Sequence, residues 1–331
     1  MGLEQRIREV ASRVTQYILE RVRGTPQQLY DAALHLIKAG GKRLRPFIVL
    51  TVAKGLGATE EKAMPFASAV ELIHNFTLIH DDIMDRDEFR RGVPTVHKLW
   101  GEPLAITAGD LLFAKAFEFI GDAVNVGVEP ANVAQAARVL GKAAATVAEG
   151  QALDMLFEDR ETVSIEEYLD MVYRKTGALF EASAVLGGLV VTRDEDTLAA
   201  LAEYGRNLGI AFQIRDDILG LIGDEKTLGK PVYSDIREGK KTILVIYALT
   251  RLDPESRERL LSILGRRNAS REELEEAARL IISSKALEYA EAVARDYAGR
   301  AKSALMKVEF VDEDAKRVLD ELVDFVVERS M

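Results

Sequence analysis

The sequence predicts an all-α protein, and three observations support that class. Apolar residues recur every three or four positions along most of the 331 residues, a spacing that gives a helix one apolar face. Only eight prolines occur, and most stand where a helix should begin or a loop should turn. No alternating strand pattern of useful length is present. Because no proline- or serine-rich linker divides the chain, we expect a single domain over residues 1–331.

The predicted helices follow one another along the chain. The stretch "LYDAALHLIKAGG" places Leu29, Ala33 and Leu36 on one stripe and ends in a glycine pair suited to a helix C-cap. The apolar segment "ELIHNFTLIH" runs into an acidic cluster, and "EEYLDMVYRKTGALFEASAVLGGLVV" and "ALEYAEAVARDYAGRAKSALMKV" have helical periodicity too. Several of these helices are long enough to cross a whole domain.

Composition excludes several classes of function. A net charge of −10 argues against nucleic acid as a partner, because phosphate backbones require a basic face. The absence of cysteine excludes disulfides, zinc–thiolate sites and cysteine nucleophiles. The charged N-terminal stretch has no apolar core typical of a signal peptide, and no run of 18 apolar residues predicts a membrane span. We therefore expect a cytoplasmic protein without an integral membrane segment.

The stretch "IHDDIMDRDEFRRG" places five acidic residues in the eight positions from Asp81 to Glu88. On a helix, Asp81 and Asp85 project from one face because residues four apart lie about 40° from each other. Like charges at that spacing repel by about 0.2–0.5 kcal/mol per pair, so a bound cation would stabilise them. Carboxylate oxygens without histidine or cysteine favour a hard ion, above all Mg2+.

A second segment, "QIRDDILG", repeats the pattern of an apolar lead-in followed by paired aspartates, Asp216 and Asp217. Gly220 stands where the carboxylate four residues after Asp216 would be, and Asp224 follows two turns after Asp216. Either segment alone could be a solvated acidic helix end. Two copies at the ends of apolar helices favour a metal site.

Mg2+ held by a few carboxylates usually completes its shell with water and phosphates, and phosphate-binding residues accompany both acidic segments. The segment "GGKRLRP" places Lys42, Arg43 and Arg45 between a glycine hinge and a predicted helix start, where helix termini and arginine forks favour phosphate. Each basic segment alone could be a solvated turn. Further along the chain, the candidate phosphate-binding residues are Arg90, Arg91, Lys175, Thr176, Lys230 and Lys240.

In this order the motifs resemble the trans-isoprenyl diphosphate synthase (polyprenyl synthetase) family, in particular its archaeal-type short-chain geranylgeranyl and farnesyl diphosphate synthases. The similarity extends from "GGKRLRP" to "EGKKT" and includes "LIHDDIMDRDEFRRGVPTVH", "EGQALD", "KTGALF" and "FQIRDDILGLIGDEKTLGKP". The resemblance implies a single-domain helix bundle around a deep central cavity, in a homodimer. It also implies a Mg2+-dependent prenyltransferase that condenses isopentenyl diphosphate with dimethylallyl, geranyl or farnesyl diphosphate.

The resemblance also implies a role for each matching position. Asp81, Asp85 and Asp216 match the metal ligands, for three Mg2+ ions when both substrates are bound and with Mn2+ as a substitute. The isopentenyl diphosphate pocket matches Lys42, Arg45, His74 and Arg91. The allylic diphosphate site matches Arg90, Lys175, Thr176, Gln213, Lys230 and Lys240. Lys175 and Thr176 count with the three aspartates as catalytic residues, and the cavity-lining pair of the family matches Gln151 and Asp154. Gly220 departs from the many relatives that have aspartate there, and His74 alone could be a core histidine.

Product length is expected to depend on the segment before the first acidic motif. Phe76 lies five residues before Asp81, about 7.5 Å along a helix axis. In the family, an aromatic residue there with a small neighbour, here Thr77, forms the cavity floor. This pattern favours the C20 product geranylgeranyl diphosphate; C15 farnesyl diphosphate, or a mixture of C15 and C20, stays open. Phe76 could also be an ordinary core residue.

Three other functions compete with a catalytic synthase. A non-catalytic partner subunit of a heteromeric synthase would have degenerate motifs, whereas these sets of aspartates, arginines and lysines are nearly complete. A terpene cyclase would not need the second diphosphate pocket that Lys42, Arg45 and Arg91 imply. A purely structural helical protein would leave both acidic clusters unexplained.

Overall fold

A computed structural model describes residues 2–223 and 232–328, and its helices confirm the predicted all-α class. The only strands in the described residues are β1 (Phe89–Arg90) and β2 (Val93–Pro94), a short antiparallel pair. The helices are α1 (Leu3–Arg21), α2 (Gln27–Lys38), α3 (Leu44–Gly55), α4 (Glu60–Asp85), α5 (Val96–Trp100), α6 (Glu102–Asp122), α7 (Pro130–Glu158), α8 (Ile165–Val172), α9 (Ala178–Leu189), α10 (Glu195–Ile222), α11 (Ser234–Glu238), α12 (Ile243–Arg251), α13 (Pro254–Ile263), α14 (Arg271–Ser283), α15 (Ala286–Leu305) and α16 (Glu313–Val327).

The contacts within the chain group into two compact units, each built from several stretches of sequence. The first unit comprises Met1–Ala144, Leu179–Gly205 and Ser303–Leu322. The second comprises Ala145–Ala178, Arg206–Lys302 and Val323–Met331. The single domain expected over residues 1–331 stays a prediction.

In the first unit, α4 carries the chain from the core to the surface. It packs most extensively against α6 and α3, and its residues from Ala63 to Ile73 are buried on all sides. From His74 onward only Asn75, Ile79 and Asp82 are buried, which lie on one side of the helix, so the last three turns expose the other face. A helix that is apolar all round belongs in a core, and a mixed face belongs at its edge. The first acidic motif therefore lies where α4 leaves the core.

In the second unit, α10 is fixed by one apolar stripe. Ile210, Ile214 and Ile218 follow one another at four-residue spacing, and all are buried in a core shared with α8, α12 and α14. Asp216 lies on the opposite side of the helix from that stripe and is half-buried, whereas Asp217 is buried and accepts a hydrogen bond from Tyr168, a member of the same core. The apolar spacing thus sets the direction in which the second acidic motif points.

Two local features are not indicated by the periodicity of the sequence. The segment read as one helix from residue 166 onward contains a π-helical turn, Tyr173–Gly177, between α8 and α9. Such turns are frequent at functional sites because they re-aim the side chains they carry. Second, α4 ends at Asp85 because Arg86 adopts a left-handed conformation (φ 61°), so the following arginine pair lies on the β1–β2 hairpin and its turn instead of on a helix. No helix in the described residues is long and apolar enough to span a membrane.

Candidate active site

The three aspartates of the first motif have different surroundings. Asp81 and Asp85 are half-buried on the last turns of α4. Asp82 is fully buried, and its Oδ1 accepts a hydrogen bond from Arg90 Nε at 2.5 Å. Burial raises the pKa of Asp82 to about 7 although Arg90 opposes the shift. Asp82 therefore anchors Arg90, while Asp81 and Asp85 are the pair that reaches the protein surface.

Arg90 and Arg91 are adjacent in sequence but bind different neighbours. Arg90 contacts Asp82 and also Asp87, at 3.5 Å, so it belongs to the acidic motif. Arg91 has a left-handed backbone (φ 54°), which turns its side chain elsewhere. Its Nη1 donates to the carbonyl of Leu36 at 2.7 Å and to Asn75 Oδ1 at 3.3 Å. The two arginines are thus held in separate places.

A buried network holds the segment around Arg91. The Arg43 side chain is inaccessible to solvent and forms an ion pair with Glu71, also buried, at 2.9 Å. Asn75 Nδ2 donates to the same Glu71 carboxylate at 2.7 Å, and Asn75 in turn accepts from Arg91. Arg43 also donates to the Gly40 carbonyl at 2.9 Å. Buried charges persist only when they are paired and hydrogen-bonded, and these are.

Glu71 and Asn75 were not predicted to have roles, and Arg43, grouped by sequence with the phosphate-binding cations, pairs with Glu71 instead. The sequence "GGKRLRP" offers three cations with no sign that the middle one turns inward. Arg43 has a left-handed backbone (φ 51°) and a buried side chain, whereas Lys42 is exposed and Arg45 is half-buried. The guanidinium of Arg45 lies 4.5 Å from the centre of the Phe180 ring, a cation–π contact.

Positive charge is concentrated around His74. The pKa of His74 lies well below its ordinary value because its surroundings desolvate the imidazolium and because Arg45 and Arg91 repel it. The pKa of Arg91 is lowered to about 10, first by burial and then by repulsion from Arg43 and Arg90, although Glu71 opposes the shift. At neutral pH His74 is therefore uncharged and the arginines repel one another. An anion bound there would relieve that repulsion.

The second acidic motif is part of a hydrogen-bonded chain. Asp217 is buried and accepts from Tyr168 at 2.6 Å and from Gln213 at 2.9 Å. Gln213 Oε1 accepts from Thr176 at 2.8 Å, so the structure brings these two predicted residues together. Burial, and then the charge of Asp235, raise the pKa of Asp217 to about 7. Asp216, the predicted ligand, is half-buried on the same turn of α10.

Asp235 fills the space next to Gly220. A Cβ atom built on Gly220 would lie 3.1 Å from Asp235 Oδ2, and the Tyr233 amide donates to the Gly220 carbonyl at 3.2 Å. The space beside Gly220 is thus occupied by a carboxylate from 15 residues later in the chain. No periodicity in the sequence indicates that return of the chain, so Asp235 was missed.

Two predicted lysines meet at Asp154. Lys175 Nζ, on the π-helical turn, donates to Asp154 Oδ2 at 2.6 Å, and Lys240 Nζ lies 4.0 Å from the same oxygen. Burial alone would raise the pKa of Asp154, but the two lysines outweigh it and lower the pKa. Gln151 is buried one turn earlier on α7. Lys230 and Asp224 lie outside the described residues.

The donor set fits Mg2+. Among residues 2–223 and 232–328, no group of three or more His, Asp or Glu side chains is arranged to hold a metal ion. Mg2+ does not require such a group, because it commonly takes one or two carboxylates and completes its octahedron with water and phosphate oxygens. Asp81 and Asp85 supply hard oxygens at the C-terminal end of α4, where the helix dipole is negative and favours a cation.

The predicted chain-length residues lie one turn above the acidic motif on α4. Phe76 is half-buried, and its ring packs against His80 and against Phe113 of α6. Thr77 is half-buried too, and its hydroxyl donates to the His74 carbonyl at 2.8 Å.

These features define an all-helical protein with anion-attracting arginine and lysine clusters beside carboxylates. The polyprenyl synthetase family model matches residues 26–281, so the chain belongs to the polyprenyl synthetase family. It is 48% identical over 318 residues to the geranylfarnesyl diphosphate synthase of Aeropyrum pernix, covering 96% of this chain and 99% of that protein. The predicted class is therefore confirmed: the chain is a prenyltransferase of isoprenoid biosynthesis, a short-chain trans-prenyl diphosphate synthase.

Solved structures agree with this assignment. The crystal structure of geranylgeranyl pyrophosphate synthetase from Pyrococcus horikoshii Ot3 matches with a TM-score of 0.91 at 46% identity, over 99% of this chain and 98% of that one. A polyprenyl synthase from Caulobacter crescentus CB15, complexed with calcium and isoprenyl diphosphate, matches with a TM-score of 0.90 at 36% identity, over 100% and 98% of the two chains.

Proposed function

We propose that this synthase condenses isopentenyl diphosphate with allylic diphosphates, in the presence of Mg2+, and releases mainly geranylgeranyl diphosphate. The observation that carries the proposal is the separation of Arg90 from Arg91. One arginine is tied to the acidic motif, and its neighbour is tied to a buried network beside the crowded cations around His74. A reaction between two substrates that each carry a diphosphate needs two differently placed cationic sites.

The isopentenyl diphosphate site comprises Lys42, Arg45, His74 and Arg91. Its diphosphate accepts hydrogen bonds from the guanidinium and ammonium groups, and the Arg43–Glu71–Asn75 network holds Arg91 in place. Neutral His74 donates or accepts a hydrogen bond there without adding charge. The double bond of this substrate attacks the allylic carbon.

The allylic site comprises Arg90, Lys175, Thr176, Gln213, Lys230 and Lys240. Asp81, Asp85 and Asp216 would hold Mg2+, which neutralises charge on the departing diphosphate. Asp235 would supply the carboxylate that Gly220 lacks. Arg90, Lys175 and Lys240 stabilise the leaving group, and Thr176, fixed by Gln213, lies beside the cation that forms. The released diphosphate takes the proton, so no protein base is required. The Caulobacter relative, complexed with calcium and isoprenyl diphosphate, supports a divalent cation alongside a prenyl diphosphate.

The C20 product follows from Phe76 and Thr77 as the cavity floor. The relatives support this range without deciding it, because one is named for geranylgeranyl and another for geranylfarnesyl diphosphate. Replacing Phe76 by alanine should lengthen the product. An unchanged product distribution would show that Phe76 is an ordinary packing residue.

A homodimer of single-domain chains is the proposed assembly. In its support, α6 carries two large apolar side chains that are substantially exposed in the single chain, Ile106 (45%) and Phe113 (37%). Light scattering after size exclusion should give twice the 36.6 kDa chain mass at micromolar concentration. A monomer mass throughout would reject the dimer.

The substrate and product proposals can be tested together. Labelled isopentenyl diphosphate is offered with dimethylallyl, geranyl or farnesyl diphosphate, and the products are separated by chain length. We expect all three acceptors to end mainly at C20. Termination at C15 or extension to C25 would replace the C20 assignment, and no incorporation with any acceptor would reject the function.

A further inference from the structure

The Phe76 ring is clamped between two aromatic side chains. His80 lies one turn further along α4, with ring centres 4.8 Å apart and planes at 72°. Phe113 approaches from α6, with ring centres 5.4 Å apart and planes at 65°. Both contacts are edge-to-face, the geometry that aromatic rings prefer. Phe76 is therefore held from its own helix and from a neighbouring one.

His80 is itself fixed to α6. Its Nε2 donates to the carbonyl of Ile106 at 3.0 Å, since a carbonyl can only accept. The imidazole sits where α6 has a glycine: a Cβ atom on Gly109 would lie 2.4 Å from His80 Nε2. Any larger residue at 109 would displace the imidazole. The absence of a side chain at Gly109 thus leaves room for the imidazole and lets α4 and α6 approach closely enough for the hydrogen bond.

Phe113 has a support of its own. Its ring packs against Phe117, one turn further along α6, with ring centres 5.2 Å apart. A growing prenyl chain that presses on Phe76 can advance only if that ring rotates or shifts. His80 and Phe113 contact the ring, so their packing resists such a shift.

We propose that α6 sets product length together with Phe76. Phe113 and His80 are positioning residues that hold the Phe76 ring, and Gly109 leaves the space that the His80 imidazole occupies. This inference rests on the proposed function, because it takes Phe76 as the floor of the product cavity. It locates part of the chain-length control on a helix outside the acidic motifs.

The test compares product lengths of the wild-type enzyme and five variants at equal conversion. Phe113→Ala should raise the ratio of C25 to C20 product about fivefold to tenfold, by loosening one aromatic contact. Phe113→Tyr, which keeps the ring, should retain the C20 product. Glu102→Gln changes an exposed residue in the first turn of the same helix, outside the aromatic cluster, so its product should not change. The KM for isopentenyl diphosphate should stay within about twofold in every variant.

A double variant separates positioning from direct contact. If Phe113 acts through Phe76, then Phe76→Ala with Phe113→Ala should give the same products as Phe76→Ala alone. Further lengthening in the double variant would show that Phe113 touches the prenyl chain itself and would overturn its positioning role. If thermal melting shows that Phe113→Ala is not folded, Phe113→Leu is measured in its place.

The failures of the two proposals can be distinguished. If Phe76→Ala lengthens the product while Phe113→Ala does not, the clamp is wrong and the floor stands. If Phe76→Ala leaves the product at C20, the floor assignment fails, and the clamp fails with it.

Discussion

Replacing Arg90 and Arg91 by alanine, one at a time, should raise different Michaelis constants. Arg91 is held by the Leu36 carbonyl and Asn75, away from the acidic motif, whereas Arg90 is held by Asp82 within it. Arg91→Ala should therefore raise the KM for isopentenyl diphosphate. Arg90→Ala should raise the KM for the allylic diphosphate and lower kcat as well, because the leaving group loses a cation.

The size of the effect follows from the bonds removed. A hydrogen bond to a charged group contributes about 1.5–3 kcal/mol, and each 1.4 kcal/mol is about tenfold in affinity. Loss of one guanidinium contact should then raise the corresponding KM about 10- to 150-fold and leave the other within about twofold. Arg90→Ala also leaves Asp82 buried without its cation. Burial already raises the pKa of Asp82 to about 7 with Arg90 present, so loss of Arg90 favours the protonated carboxyl.

The assay measures initial rates with one substrate varied and the other saturating. Arg91→Lys is the matched control, because it keeps the charge and loses the fork that contacts Leu36 and Asn75. Its KM for isopentenyl diphosphate should fall between those of the wild type and Arg91→Ala. An equal rise of both Michaelis constants in both alanine variants would refute the division of roles.

Three further predictions concern the supporting residues. Glu71→Gln leaves its buried arginine partner uncompensated and should cost about 3–5 kcal/mol in thermal or denaturant unfolding, whereas Glu60→Gln, in an exposed pair with Arg13, should cost less than about 1 kcal/mol. Asp235→Ala should weaken Mg2+-dependent turnover, and adding Gly220→Asp should restore part of it, because the new carboxylate enters the same space. Asp154→Asn should raise the KM for the allylic diphosphate, since both lysines that it holds lose their anchor.

Each of these has a contrary outcome. Equal loss of stability in the two glutamine variants would mean that the buried pair contributes no more to the free energy of unfolding than the exposed pair does. A double variant no more active than Asp235→Ala would separate Asp235 from the metal site. A rise in the KM for isopentenyl diphosphate alone in Asp154→Asn would move the two lysines to the other substrate.

The sequence was most informative where spacing determines position. The acidic segments were expected at the ends of apolar helices, and they lie in the last two turns of α4 and α10. Lys175 and Lys240 were named separately, and the structure brings both to Asp154. Local periodicity was sufficient for the first result. For the second result, Asp154 was named from the sequence only as a cavity-lining residue, and its contact with both lysines was not predicted.

Features that depend on distant contacts could not be predicted. The three cations in "GGKRLRP" look alike in sequence, and the left-handed backbone at Arg43 sends its side chain to Glu71. The approach of Asp235 to Gly220 requires a return of the chain that no local pattern encodes. The π-helical turn at Lys175 is likewise invisible in a periodicity that reads as continuous helix.

The most direct test of the central claim is the Mg2+ dependence of isopentenyl diphosphate incorporation. The enzyme is stripped with EDTA, and the rate with geranyl diphosphate is followed as Mg2+ is restored. We predict no turnover without the metal, full recovery with it, and a large shift to higher Mg2+ concentration in Asp81→Asn. Turnover by the stripped enzyme, or an unchanged Mg2+ dependence in Asp81→Asn, would contradict the account.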